Sequence, residues 1–203
     1  MDLKDSVVAI AGAGRGIGRA LALEFARRGA RLSLCARSEA ALGAVRREAA
    51  QVLADGERSI LTMALDISNR TQSSIWIAET ARRFGRLDIL VNNASLLGAR
   101  EPIADYPEDV WDDVFRVNAT GPFLVIKAAL RSAMLEQKGG IIVNISSGVG
   151  RVGKANWGAY AASKFALEGL TQVLAQELAP SGIICVAINP EATRTAMRAE
   201  AYP

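Results

Sequence analysis

The chain contains no histidine. A Ser-His or Cys-His nucleophile is therefore excluded. Cysteine is scarce: Cys35 and Cys185 each lie in an apolar segment, and no C-x-x-C occurs. A zinc site would have to be assembled from carboxylates and two distant thiols, so no metal is expected. Such lone cysteines read as small buried hydrophobes in a reducing compartment. No apolar run reaches the roughly 18 residues that a bilayer span requires. The opening stretch MDLKDSVVAIAG carries two acids and lacks the apolar core of a signal peptide. Lys and Arg form no run and the net charge is only +3. The reading is a cytoplasmic protein with neither nucleic acid nor membrane as partner.

What the sequence does contain is an alternation. Of its 203 residues 50% are hydrophobic and 22% charged, which suits one well-buried domain spanning 1–203. Apolar strand-like runs are expected at 6–12, 31–36, 59–65, 87–93, 139–146 and 183–189. Helical patterns fall between them, at about 16–28, 38–54, 69–84, 107–137 and 157–179. Ser38 is a plausible N-cap and Gly29 a C-cap. The 107–137 stretch is expected to break near Gly121-Pro122. Strands joined by helices of this length imply an α/β fold with a parallel sheet and helices on both faces. The near-continuous apolar strands fit a sheet buried on both sides.

Between the first strand and first helix lies AGAGRGIG, residues 11–18. Its glycines permit a tight turn and let backbone N–H groups approach a pyrophosphate at the helix N-terminus. The spacing G-x-G-x-x-G does not fit, because Ile17 stands in place of the last glycine. G-x-x-x-G-x-G does, on Gly12, Gly16 and Gly18. The end of the second strand, where an acid commonly holds the adenosine ribose, carries Ala36 followed by Arg37. With Arg15 in the glycine turn, two guanidinium groups suit a 2′-phosphate, so NADP(H) is expected over NAD(H), with NAD(H) possible.

The stretch GAYAASKFALEG sets Tyr160 and Lys164 one helical turn apart, on one face. With Ser147 thirteen residues before Tyr160 and N-N-A upstream, the pair becomes specific. The chain resembles the short-chain dehydrogenase/reductase family on motifs in order: AGAGRGIG at 11–18, LDIS at 65–68, NNAS at 92–95, VNATG at 117–121, ISSGVG at 145–150, YAASK at 160–164 and NPEATRT at 189–195. The resemblance implies a Rossmann-type doubly wound sheet in the order 3-2-1-4-5-6-7. It implies an oxidoreductase moving hydride between nicotinamide and a carbonyl/alcohol substrate. By the same resemblance Gly12, Gly16, Ile17 and Gly18 line the pyrophosphate, and Asp66 and Ile67 meet the adenine. Asn92, Asn93 and Ala94 support the fourth strand's end and the ribose. Asn118 holds a water linked to Lys164, Ser147 bonds the substrate oxygen, Tyr160 transfers the proton, and Lys164 bonds the nicotinamide ribose. Pro190, Thr193 and Thr195 lie at the nicotinamide end. A free tyrosine titrates at about 10, so the Lys164 ammonium and the positive charge of the oxidised nicotinamide are expected to pull Tyr160 down. A homodimer or homotetramer is implied, paired through the helices at 107–137 and 157–179. The alternative is a catalytically silent cofactor-binding sensor or scaffold.

The chain departs from the family pattern at three places. Ala11 stands where Thr is usual, Ser95 ends N-N-A-S where Gly is usual, and Glu191 replaces the Gly of a P-G turn. Glu191 is expected to be strained if that turn needs a positive φ. The sequence stops soon after Thr195, so a longer natural protein is expected, with a lid and seventh strand absent here. Leu96, Leu97, Val149, Val152 and Trp157 suggest a partly apolar substrate pocket.

Overall fold

The valines and isoleucine of β1 (Val7–Ala11) alternate between two apolar layers, and every residue of the strand is buried. In the computed structural model, which describes residues 3–201, β1 is the inner strand of a sheet ordered β3-β2-β1-β4-β5-β6. The other strands are β2 (Arg31–Ala36), β3 (Ile60–Ala64), β4 (Ile89–Asn92), β5 (Gly140–Ile145) and β6 (Ile183–Ile188), and β1 pairs with β2 and β4. All pairings are parallel, with Val8 opposite Leu32 on one side and Ile89 on the other. This is the expected doubly wound Rossmann-type sheet, through its first six strands. Residues 1, 2, 202 and 203 of the expected 1–203 domain lie outside the described residues.

Helices cover both faces. Val8 and Ile10 pack with Ala22 and Leu23 of α1 (Gly16–Arg27) and with Leu42 and Val45 of α2 (Glu39–Ala50). Val7, Ala9 and Ala11 pack with α3 (Arg70–Phe84), α5 (Gly121–Ala129) and α7 (Gly158–Leu178), through Trp76, Val125 and Leu174. Burying each valine, leucine or isoleucine among them contributes about 1.5–3 kcal/mol. The Trp76 indole N–H, 0% exposed, donates to Ser33 Oγ at 2.9 Å, so no donor is stranded in the core. β6 departs from the two-sided burial expected of an apolar strand. Ile183 and Cys185 are buried against the α7 layer, while Ile184, Val186 and Ile188 are 56%, 37% and 46% exposed.

The helical stretch after β4 also differs from expectation. It runs without a break from α4 (Glu108–Phe115) through α5 to α6 (Leu135–Gln137), joined by two π-helical turns at Arg116–Thr120 and Leu130–Met134. Pro122 cannot donate a backbone N–H. The helix widens just before it, with Gly121 N–H reaching back to Arg116 O, instead of stopping. The expected N-cap at Ser38 is present, accepting from Ala41 N–H at 3.2 Å. The cap of α3 is Asn69, whose Oδ1 accepts from Gln72 N–H at 3.1 Å. A short helix α8 (Ala196–Ala201) follows β6 and has no counterpart in the sequence reading.

Candidate active site

The carboxyl ends of β1 and β4 diverge where the chain order reverses across the sheet, and a cavity of about 860 Å³ opens there. This is where open α/β sheets bind ligands, and the volume falls within the range of small-molecule sites. The glycine turn forms its floor. Gly12 holds φ +78°, and a Cβ there would lie 2.7 Å from Ala94 Cα. A Cβ on Gly18 would lie 2.2 Å from Gly12 O. Gly12, Gly16 and Ile17 line the cavity, whereas Gly18 sits behind it and lets the turn close against α1. The N-cap of α1 is Arg15, with no side-chain cap bond, so no side chain blocks the first-turn amides. An uncapped helix start beside a glycine cradle fits a dinucleotide pyrophosphate.

At the end of β2, Ala36, Arg37 and Ser38 line the cavity together with Arg15. Among the described residues neither guanidinium is ion-paired, and no carboxylate stands at that edge. Asp66 and Ile67 line the adjoining wall. Burial pushes the Asp66 carboxyl up, but the Ser68 hydroxyl and amide and the Arg116 guanidinium outweigh it, leaving the group below its usual value. Arg116 Nη1 lies 3.3 Å from Asp66 Oδ2. Asn93 and Ala94 line the cavity, and Asn93 Nδ2 donates to Gly12 O at 2.9 Å, locking β4 to the glycine turn. Asn92 is buried one residue earlier and donates to Asn144 Oδ1 at 2.8 Å.

Asn118 occupies the first π turn, the kind of helix distortion frequent at functional sites. It is 0% exposed and stands behind the cavity wall. Its Oδ1 accepts from Leu96 N–H at 2.8 Å and from Ser95 Oγ at 3.1 Å. Its Nδ2 donates to Leu96 O at 2.8 Å and to Ser163 Oγ at 3.1 Å. The side chain therefore clamps the loop after β4.

Ser147, Tyr160 and Lys164 meet in the cavity wall beyond β5. Burial raises the Tyr160 phenol above its ordinary value, and hydrogen bonds with the Ser147 and Ser95 hydroxyls pull the other way. Lys164 Nζ donates to Ile145 O at 2.7 Å and lies 5.6 Å from the Tyr160 ring centre. Burial brings its pKa down to about 8, opposed by the Glu168 carboxylate. The phenol thus stands above its ordinary value where the sequence led us to expect it lowered, and burial is the largest cause. Ser146, by contrast, is buried 3% exposed with its Oγ turned from any hydrogen-bond partner among the described residues.

The far wall is the segment after β6. Pro190, Thr193 and Thr195 line the cavity, with Thr193 Oγ donating to Pro190 O at 2.7 Å. Glu191 holds φ +54°, the strain expected of a side chain at a glycine position. Met197, Arg198 and Ala201 of α8 close the mouth. Arg100 fixes that helix: it donates to Ala201 O at 2.6 Å and stacks 4.0 Å from the Trp157 ring. Leu96, Leu97, Val149 and Trp157 form the apolar patch, but Val152 is 74% exposed and lies outside it. The sequence reading missed α8, Arg100, and the Asn118 contacts to Ser163 and Leu96. Only the departure from N-N-A-G at Ser95 was a visible signal.

The model of the short chain dehydrogenase family matches residues 6–203. The uncharacterized oxidoreductase YciK of Escherichia coli (strain K12) is 40% identical over 203 residues, covering 99% of this chain and 79% of its own. A short chain dehydrogenase of Escherichia coli CFT073 complexed with NADPH superposes with a TM-score of 0.91 at 40% identity, covering 100% of this chain and 83% of its own. An NAD+-bound xylitol dehydrogenase superposes with a TM-score of 0.87 at 34% identity, covering 94% and 71%.

Proposed function

The chain belongs to the short chain dehydrogenase family and is an oxidoreductase acting on alcohol or carbonyl groups, and on that premise we propose that it moves hydride between NADP(H) and a carbonyl/alcohol pair, with Tyr160 exchanging the proton. One observation carries this reading. Tyr160, Ser147 and Lys164 together line the wall of the cavity whose other end is the glycine turn. When bound, the nicotinamide supplies or accepts the hydride. Gly12, Gly16, Ile17 and the first amides of α1 would hold the pyrophosphate, and Gly18 would keep the turn tight. Asp66 and Ile67 would meet the adenine, with Asn93 and Ala94 beside the ribose. Lys164 would hold the nicotinamide ribose, and Pro190, Thr193 and Thr195 would meet the nicotinamide end. In reduction the Tyr160 phenol, kept protonated by burial, gives its proton to the carbonyl oxygen. Ser147 donates a hydrogen bond to the charge that develops on that oxygen. In oxidation the proton returns to Tyr160. Asn118 acts indirectly, by holding the loop at Ser95 and Leu96. This intact set argues against a silent sensor.

Arg15 and Arg37 and the absence of an acid at Ala36 favour NADP(H), and the NADPH complex of a relative at 40% identity supports it. Phe123 of α5 and Phe165 and Val173 of α7, all exposed, support pairing of two or four copies through those helices. Two measurements test the reading. Tyr160→Phe is expected to lower turnover by roughly 10²–10⁴-fold while a fluorescence titration finds NADPH affinity nearly unchanged; retained turnover removes Tyr160 from its role. Arg15→Ala with Arg37→Ala is expected to weaken NADPH by about 100-fold through lost charge-assisted bonds. NADH should lose little, and an equal loss for both cofactors would overturn the NADP(H) preference.

A further inference from the structure

Arg116 opens the first π turn, two residues before Asn118, yet its guanidinium does not serve the helix alone. Its Nη2 donates to Asp113 Oδ1 at 2.7 Å, an ordinary i,i+3 pair. Its Nη1 turns instead to the loop after β3, 48 and 50 positions back in the chain. There it donates to Ser68 Oγ, and to Asp66 Oδ2 at 3.3 Å. A guanidinium carries only donors, so Ser68 must accept from it. The single hydroxyl proton of Ser68 is then left for Asp66 Oδ1, at 2.7 Å. The Ser68 N–H, at 2.9 Å, goes to the same Oδ1. Oδ1 therefore receives two protons and Oδ2 one. A carboxylate has about four acceptor sites, and the open one is on Oδ2. Asp66 lines the cavity and Arg116 does not, so the guanidinium holds the carboxylate from outside the cavity. A second contact presses the same parts together. A Cβ on Gly121, just past the π turn, would lie 2.7 Å from Ile67 Cδ1.

The Arg116 and Asp66 side chains are 48% and 35% exposed, and an ion pair so exposed adds little stability. What the contact supplies is direction. We propose that Arg116 is a positioning residue for the adenine: with Ser68 it fixes the Asp66 carboxylate so that the open Oδ2 site accepts from the exocyclic amino group and rejects a base that presents a carbonyl there. The amino group of adenine donates. The carbonyl of hypoxanthine only accepts, and meets a carboxylate that has nothing to donate. Arg116 thus acts on which purine is held, and not on the movement of hydride or proton. Among the described residues that line the cavity, the other carboxylate is Glu191, on the segment after β6. No second acid duplicates Asp66 at its wall.

This inference rests on the placing of adenine at Asp66 above, and its test needs no substrate. NADPH and reduced nicotinamide hypoxanthine dinucleotide phosphate are each titrated against the protein by nicotinamide fluorescence, and the ratio of the two dissociation constants is read. The intact protein is expected to favour NADPH by about tenfold or more, the scale of one hydrogen bond to a charged group. Arg116→Met, which keeps an unbranched stem but none of the donors, is expected to lose most of that preference by weakening NADPH far more than the analogue. Ser68→Ala, which removes the shared hydroxyl, is expected to narrow the ratio in the same direction. A residue that merely propped the wall would weaken both nucleotides alike, so a ratio unmoved in Arg116→Met overturns the proposal. Asp66→Ala tells the two claims apart. If it narrows the ratio while Arg116→Met does not, adenine stays at Asp66 and the role of Arg116 falls. If the intact protein shows no preference, or Asp66→Ala leaves the preference unchanged, the placing of adenine falls and the proposal falls with it.

Discussion

Lys164 is 2% exposed, and burial has brought its ammonium down to about 8. In the unfolded chain a lysine titrates near about 10.4. Between those values the unfolded state binds more protons, so stability rises with pH across that window. Below about 8 the full cost of burying the charge is present, roughly 3 kcal/mol from the separation of the two values. Lys164→Met is therefore expected to stabilise the cofactor-free protein at pH 7, by up to that amount less the lost bond to Ile145 O. The advantage should vanish near pH 10. Urea unfolding at both pH values checks this, and an advantage that does not shrink would mean that the charge is not what costs stability. A strained, stability-reducing lysine at this point fits a residue kept for its site. The spacing of Ser147, Tyr160 and Lys164 was readable because one helical turn and one strand end fix it. The contacts of Ser95 and Asn118 were not, because they depend on a loop and a helix meeting across the fold.

Helix ends carry a second prediction. Lys138 closes α6 with φ 52° and ψ 46°, a left-handed position where an L side chain costs about 1 kcal/mol or more. Among the described residues its side chain makes no ion pair. Lys138→Gly is expected to raise stability by roughly 0.5–1 kcal/mol, read as a higher urea midpoint with unchanged slope; a lower midpoint would show that the lysine side chain holds this corner. Most elements were legible to within a few residues, since apolar runs, Ser38 and Gly29 mark their limits. The run 107–137 was misread at Gly121-Pro122 because a proline signals a break on one-dimensional grounds. The π turn ahead of it resolves the conflict in three dimensions and brings Asn118 into the wall behind Ser95. Helix α8 was illegible because it is short and its fixing contact, Arg100 to Ala201 O, spans 101 positions of sequence.

At the scale of the whole molecule, the parallel sheet and both helical layers followed from the alternation of strands and helices, while the two edge strands contradict the two-sided burial expected of them: β6 exposes one face and β3 buries fully only Ile60. The strand order also places each strand's partners in time. Val7 N–H bonds the Asp88 carboxylate at 2.8 Å, 81 residues further along the chain. Synthesis runs at about 5–20 residues per second, so β1 leaves the ribosome on the order of ten seconds before β4 exists to flank it. In that interval it can pair only with β2. The strand that ends as the most enclosed in the sheet is thus among those that wait longest with one edge bare. The glycine turn it carries becomes a binding floor only when Asn93 arrives to hold it.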